Sequence, residues 1–167
     1  MYISLQLWKP EDAGSLAVYF NNIHILNNLR DFVPNPYTEK DAEKFISDQI
    51  ELSPVRNFAI YNEAEIVGGI GINLLEDVYK MNVELGYWVA EPFWGRGIAT
   101  IAIGLMTQYA FEHFSINRIV AEVFEKNRAS MRVLEKNGYY LETVRRKGIL
   151  KNDLLSDDYI WVKQKIF

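Results

Sequence analysis

Between Asn82 and Phe114 the spacing of apolar residues changes period once, and that change limits the fold more than any other feature. In "NVELGYWV", Val83, Leu85, Tyr87 and Val89 alternate with Glu84, Gly86 and Trp88, the two-residue period of a strand. From Ile98 onward, Ile98, Ala102, Leu105 and Tyr109 recur at offsets of three and four, one face of a helix. "RIVAEVF" then returns to a strand pattern. A strand, a long helix and a strand in succession form a crossover unit. The junction itself is "EPFWGRGIAT", with Gly95 and Gly97 on either side of Arg96.

A helix N-terminus carries unpaired main-chain N–H groups and the positive end of the helix dipole, so it attracts phosphate. Glycines in and before the first turn remove side chains that would block that approach; the plainer alternative is a tight turn. The nucleotide motifs with the same logic fit poorly. A P-loop needs Gly-Lys-Ser/Thr, and no lysine stands here. A dinucleotide fingerprint needs a third glycine where Thr100 stands and a first glycine directly off the strand, whereas "EPFW" intervenes. Glu122 or Glu125 imitates its ribose-binding acid, so a dinucleotide enzyme stays as an alternative.

Around this unit, "ISLQLW" reads as a first strand and "PEDAGSLAVYFNN" as a helix with Pro10 in its first turn. "NIHILNNLRDFVPNPY" reads as irregular, marked by Pro34 and Pro36. Thr38 and Asp41 open "TEKDAEKFISDQIEL" as a capping box opens a helix. "NFAIYN", "EIVGGIGINLL" and "MNVELGYWVA" are strands joined by short polar turns, which favour antiparallel neighbours. "NRASMRVLEKNG" is a short helix with Asn127 as its N-cap and Gly138 just past its end. "YYLETVRRKGIL" and "LLSDDYIWVKQKIF" close the chain as a pair of strands, with "VRRKGILK" read as a solvated turn. The fold class is α+β: a mainly antiparallel central sheet flanked by helices, with one βαβ crossover. No repeat or linker divides residues 1–167, so one domain is expected.

With no cysteine and two distant histidines, His24 and His113, thiolate chemistry is excluded and a histidine-rich metal site is not expected. A net charge of −4 gives no global field for nucleic acid or anionic membrane. The N-terminus lacks a signal pattern and no apolar run is long enough to span a bilayer, so a soluble cytoplasmic protein is expected.

"ELGYWVAEPFWGRGIATIAI" followed by "NRIVAEVFEKNRASMRVLEKNGY" resembles the GNAT superfamily of N-acetyltransferases. The likeness is narrower to the branch of the RimJ/RimL-type enzymes, which acetylate ribosomal-protein N-termini. "NLRDFVPNPYTEKDAEKFI" also resembles that branch's N-terminal region. The superfamily's motif Gln/Arg-x-x-Gly-x-Gly/Ala becomes Trp94-Gly95-Arg96-Gly97-Ile98-Ala99. The resemblance implies a mixed sheet whose crossover forms the coenzyme A site, with acetyl-CoA as cosubstrate and no metal. It implies that the amides of Gly95, Arg96, Gly97, Ile98, Ala99 and Thr100 hold the pyrophosphate, and that Trp88 and Val89 pair their backbone with the pantetheine arm. Gly86 fits a bulge or a packing position equally well. Asn127 is implied in cofactor contact and Ser130 near the thioester sulfur; capping and an ordinary helix position are their plainer readings.

Acetyl transfer to an amine requires a neutral amine, a stabilised oxyanion and departure of a thiolate. Glu84, on the strand expected to line the cleft, is the candidate base, against the reading of a salt-bridged strand glutamate. Ser130 is the second catalytic candidate. Many superfamily members have a tyrosine acid four residues before the glycine that is Gly138 here; this chain has Leu134. Ser130 replaces it, or the thiolate leaves unaided; Tyr140 is a spare candidate. Arg30 and Tyr37 are expected to shape the acceptor site. His24 reads as a surface or packing residue, His113 as a complement to its helix dipole, and Phe93, Trp94 and Trp161 as core. The function expected is direct acetyl transfer to a primary amine, a protein N-terminus or a small molecule, by a monomer or homodimer without direct nucleic-acid binding. A non-catalytic acyl-CoA sensor is the alternative from another class.

Overall fold

The computed structural model describes residues 1–166. Its seven strands hydrogen-bond in the order β1-β2-β3-β4-β5-β7-β6. They are β1 (Ile3–Gln6), β2 (Asn57–Asn62), β3 (Glu65–Leu74), β4 (Asn82–Val89), β5 (Arg118–Phe124), β6 (Tyr140–Lys151) and β7 (Leu154–Gln164). The helices are α1 (Ala13–Phe20), α2 (Ile23–Leu26), α3 (Glu39–Ile50), α4 (Ile98–His113) and α5 (Arg128–Lys136). The pairs β1/β2, β2/β3, β5/β7 and β6/β7 are antiparallel, and β4/β5 is parallel. This is the mixed, mainly antiparallel α+β sheet expected. The chain divides into two compact units, residues 1–71 with 87–102 and residues 72–86 with 103–167. No helix among the described residues is long and apolar enough to cross a membrane.

In the first unit, α1, α3, β2 and β3 enclose Trp8, Leu16, Tyr37, Ala42, Ile46, Ala59, Tyr61 and Ile66. Two glycines of "IVGGIG" make room for tryptophan. A Cβ on Gly69 would stand 2.7 Å from the Trp88 indole nitrogen and 3.0 Å from Trp8, and one on Gly68 would stand 2.3 Å from the Trp88 carbonyl. Phe20 meets both Trp88 and Tyr37 edge-on, at 5.1 and 4.9 Å between centroids, contacts that add to simple area burial. The buried carboxylate of Asp12 accepts from the Tyr61 hydroxyl at 2.5 Å and the Lys9 amide at 2.9 Å, so its desolvation is offset. The capping box read at Thr38 and Asp41 is formed on both sides. One element was not foreseen. Within the stretch read as irregular, the Asn22 side chain caps the short α2 by accepting from the His24 amide at 2.8 Å.

In the second unit, β4 and β5 run parallel from Asn82↔Arg118 to Glu84↔Val120, and β7 pairs with the whole of β5. Met131 and Leu134 are the buried residues of α5, whose Asn127 cap accepts from the Ser130 amide at 3.2 Å. Gly138 has φ +73°, the left-handed stop read from the sequence.

Two readings are corrected. The buried stripe of α4 is Ile98, Ala102, Ile103, Met106 and Ala110, while Leu105 is 39 % exposed. The helix is apolar on most of its circumference, so periodicity alone could not fix which stripe faces inward. "VRRKGILK" is not the hairpin turn but a bulge within β6, between Arg145 and Ile149. Asp157 stabilises it, accepting from the Lys147 amide at 2.9 Å and from Arg146 at 2.6 Å. The turn lies at Asn152 and Asp153, both at positive φ, the geometry of a two-residue hairpin loop.

Candidate active site

The segment from Val89 to Gly97, within the first unit, closes on itself. Four consecutive carbonyls each accept a hydrogen bond from a residue just downstream. Val89 O accepts from the Trp94 indole Nε1 at 2.6 Å and Ala90 O from the Phe93 amide at 2.9 Å. Glu91 O accepts from the Trp94 amide at 3.1 Å and Pro92 O from Arg96 Nη2 at 2.9 Å. Pro92 occupies the first turn of the short 3-10 helix Glu91–Phe93, where its missing N–H costs nothing. These four acceptors of the loop are thus satisfied within it.

At the two glycines that follow, the backbone conformation favours glycine. Gly95 and Gly97 have φ +75° and +78°, and a Cβ built on either meets nothing within 4 Å. Neither is therefore a packing glycine. They turn the chain into α4 and leave open space at its N-terminus, where the first amides have no intrahelical acceptor. Ile98 is buried, while Ala99 and Thr100 are partly exposed. An anion is the partner that such a helix start favours.

Arg96 takes a different posture from the one expected of a phosphate-contacting side chain. Its guanidinium donates to Pro92 O and lies over the Phe93 ring, 5.4 Å from the centroid. It braces the loop while keeping a positive charge beside it. Trp94 corrects the reading of a core tryptophan: it is 47 % exposed, whereas Phe93 and Trp161 are buried. Trp88 packs its ring on Phe20, so what it can offer a ligand is main chain. Gly86 is exposed with nothing within 4 Å of a built Cβ, which removes the packing reading for it.

The loop is also tied to the start of α2. Glu91 accepts from Asn22 Nδ2 at 2.5 Å, and its other oxygen lies 4.0 Å from Nε2 of the exposed His24. The same Asn22 caps α2, so one side chain serves both. Of the two residues expected at an acceptor site, Arg30 is exposed and Tyr37 is buried. The Tyr37 main chain is held by Asn21, whose side chain accepts from the Tyr37 amide at 2.7 Å and donates back to its carbonyl. Burial, and secondarily the Asp41 charge, pushes the Tyr37 hydroxyl up to about 12.

Glu84 and Ser130 belong to the second unit. Glu84 is half-buried at the end of the parallel ladder with β5. It lies in the field of Arg145, a residue that sequence reading assigned to a turn. Arg145 donates to Glu122 at 2.5 Å and stands 3.4 Å from the buried carboxylate of Asp158. The hydrogen bond to Glu122 is the main reason its guanidinium is held above the ordinary value, with Asp158 and Glu84 adding to it. Glu122, weighed as a ribose-binding acid, is thus engaged by arginine. No motif signals this group, because β5, β6 and β7 bring it together from separate stretches. Asn127 caps α5 as expected, and Ser130 is partly exposed on its first turn. Leu134, at the place of the missing tyrosine, is fully buried, and Tyr140 is 45 % exposed rather than packed. His113 Nδ1–H donates to Tyr109 O, 3.0 Å away, at the C-terminal end of α4.

The sequence profile described as Acetyltransferase (GNAT) domain matches residues 3–140, most of the chain and both units. The chain belongs to the GNAT acetyltransferase family. This acetyltransferase is 29 % identical over 162 residues to the Bacillus subtilis protein named "Putative ribosomal N-acetyltransferase YdaF", covering 93 % of this chain and 87 % of that one. The fold is shared with ribosomal-protein-S5-alanine acetyltransferase from Vibrio fischeri, with a TM-score of 0.85, 22 % identity and coverage of 98 % and 93 %. It is shared equally with RimL, the ribosomal L7/L12 alpha-N-protein acetyltransferase solved with coenzyme A, at a TM-score of 0.83, 23 % identity and coverage of 97 % and 93 %.

Proposed function

We propose that this acetyltransferase moves the acetyl group of acetyl-CoA to a primary amine by direct attack within a ternary complex. One observation carries the reading: a self-satisfied loop delivers two left-handed glycines and open space to the N-terminus of α4. That is a cradle for a diphosphate, and the coenzyme A held by the structural neighbour RimL supports the choice of ligand.

In this reading the amides from Gly95 to Thr100 hold the diphosphate, with Arg96 adding charge from the loop it braces. The end of β4 at Trp88 and Val89 lines the pantetheine arm, as an added strand would lie along a sheet edge. A main-chain N–H there donates to the charge that develops on the carbonyl oxygen. Acetyl-CoA supplies the activated acyl group and a thiol of modest basicity as its leaving group. Glu84 accepts the proton of the attacking amine, directly or through water. Asn127 contacts the cofactor while capping α5, and Ser130 faces the sulfur. With Leu134 buried where a tyrosine acid would stand, the thiolate leaves with help from Ser130 or unaided. Arg30 and Tyr37 shape the acceptor side, and the acceptor is a protein N-terminus of the ribosomal-protein class or a small amine. The protein acts as one cytoplasmic domain, monomeric or dimeric, without a metal.

Mixing the purified protein with acetyl-CoA and an amine panel, including peptides with free N-termini, should release thiol. Binding of acetyl-CoA without thiol release from any acceptor would overturn the enzymatic reading.

A further inference from the structure

The hydrogen bond from Trp94 to Val89 has a role that packing does not explain. Indole carries one donor and no acceptor, and this ring is 47 % exposed. Its donor nevertheless reaches back five residues to the last carbonyl of β4 at 2.6 Å. The other three carbonyls of the loop are closed by local partners: two turn amides and the Arg96 side chain. The Trp94 side chain closes the loop onto the strand.

Each end of this bond is anchored separately. On the strand side, the Ala90 amide donates to Val67 O at 2.8 Å. Gly68 lies so close that an added Cβ would come within 3.1 Å of Val89 Cα. The end of β4 therefore lies close against β3. On the loop side, the Trp94 amide is fixed to Glu91 O, and the next residue is Gly95 at φ +75°. The indole thus joins a rigid strand end to the residue that aims the glycine turn.

We infer that Trp94 is a positioning residue: its indole N–H fixes the diphosphate-binding turn relative to the end of β4, so that a ligand spanning both is bound as one unit. This rests on the proposed acetyl-CoA reading, in which the diphosphate lies at Gly95 to Thr100 and the pantetheine arm at Trp88 and Val89. Without the N–H, the turn and the strand end each keep their own contacts but lose their fixed separation. A ligand touching only the turn is indifferent to that. A ligand touching both must restore the order on binding and is weakened accordingly.

The test compares acetyl-CoA with ADP, which carries a diphosphate and no pantetheine. Calorimetry on the full chain would use Trp94→Phe, and a second protein with benzothienylalanine at position 94, which replaces the N–H by sulfur at nearly constant shape. Losing one hydrogen bond should weaken acetyl-CoA by about 3- to 10-fold and leave ADP within about twofold. Equal weakening of both ligands, or of neither, overturns the positioning role even if the wild type binds acetyl-CoA well. A wild type that binds no acetyl-CoA overturns the proposed function first, and this inference with it.

Discussion

Replacing Gly97 by alanine separates the conformational need for glycine from the need for open space. Gly97 has φ +78°, and its built Cβ meets nothing within 4 Å, so alanine clashes with no protein atom. What remains is the left-handed backbone, which costs an L-residue about 1–2 kcal/mol. For a chain of this size that lowers Tm by about 2–8 °C. If a diphosphate occupies the open space, the methyl intrudes on it as an overpacked atom does, at about 1–3 kcal/mol, or roughly 5- to 150-fold in Kd. Gly138 provides the control. Its φ is +73°, and its Cβ would meet only the Lys163 ammonium, at 2.9 Å, which donates to Asn137 O at 2.6 Å. Gly138→Ala should therefore lose at least as much stability and keep its acetyl-CoA affinity. Differential scanning calorimetry and isothermal titration on both variants decide the matter. Equal affinity losses, or an unchanged Gly97→Ala affinity, would refute the assignment of that space to the ligand.

Glu84→Gln should lower kcat by about 10²-fold or more while moving the acetyl-CoA Kd little, because a general base acts on the amine and not on the nucleotide; unchanged turnover across pH would remove Glu84 from the mechanism. Thr38→Ala should cost about 1 kcal/mol in urea unfolding, since Thr38 accepts from the Asp41 amide at 3.2 Å to start α3; no change would mean that α3 is held by packing alone. The Arg118 guanidinium, hydrogen-bonded to Glu142, lowers that carboxyl below its ordinary 4.5. Its folded value lies below its unfolded one, so its stabilising effect is complete above 4.5 and is lost as pH falls through the lowered value. Glu142→Gln should thus be less stable than wild type at pH 7 and converge with it in strong acid; a constant difference in urea midpoints would contradict the linkage.

Local chemistry wrote much of this protein into its sequence. A period of two, a period of 3.6, Thr38 with Asp41, Asn127 and Gly138 each act within a few residues, so the strands, the long helices and their ends could be read in advance. The same holds for Gly95 and Gly97, since a strand handing over to a helix through glycines needs no distant partner to be recognised. Tertiary structure decided what depends on residues far apart in the chain. The inward stripe of α4 was chosen by its neighbours, because the helix is apolar nearly all round. The bulge in β6 exists because Asp157 reaches Lys147 and Arg146, and Arg145 joins Glu122 and Asp158 only when three strands are side by side. Trp94 looked like core, yet its N–H found a carbonyl that the turn brought within reach. A sequence states which hydrogen-bonding groups exist; only the folded backbone determines which of them meet.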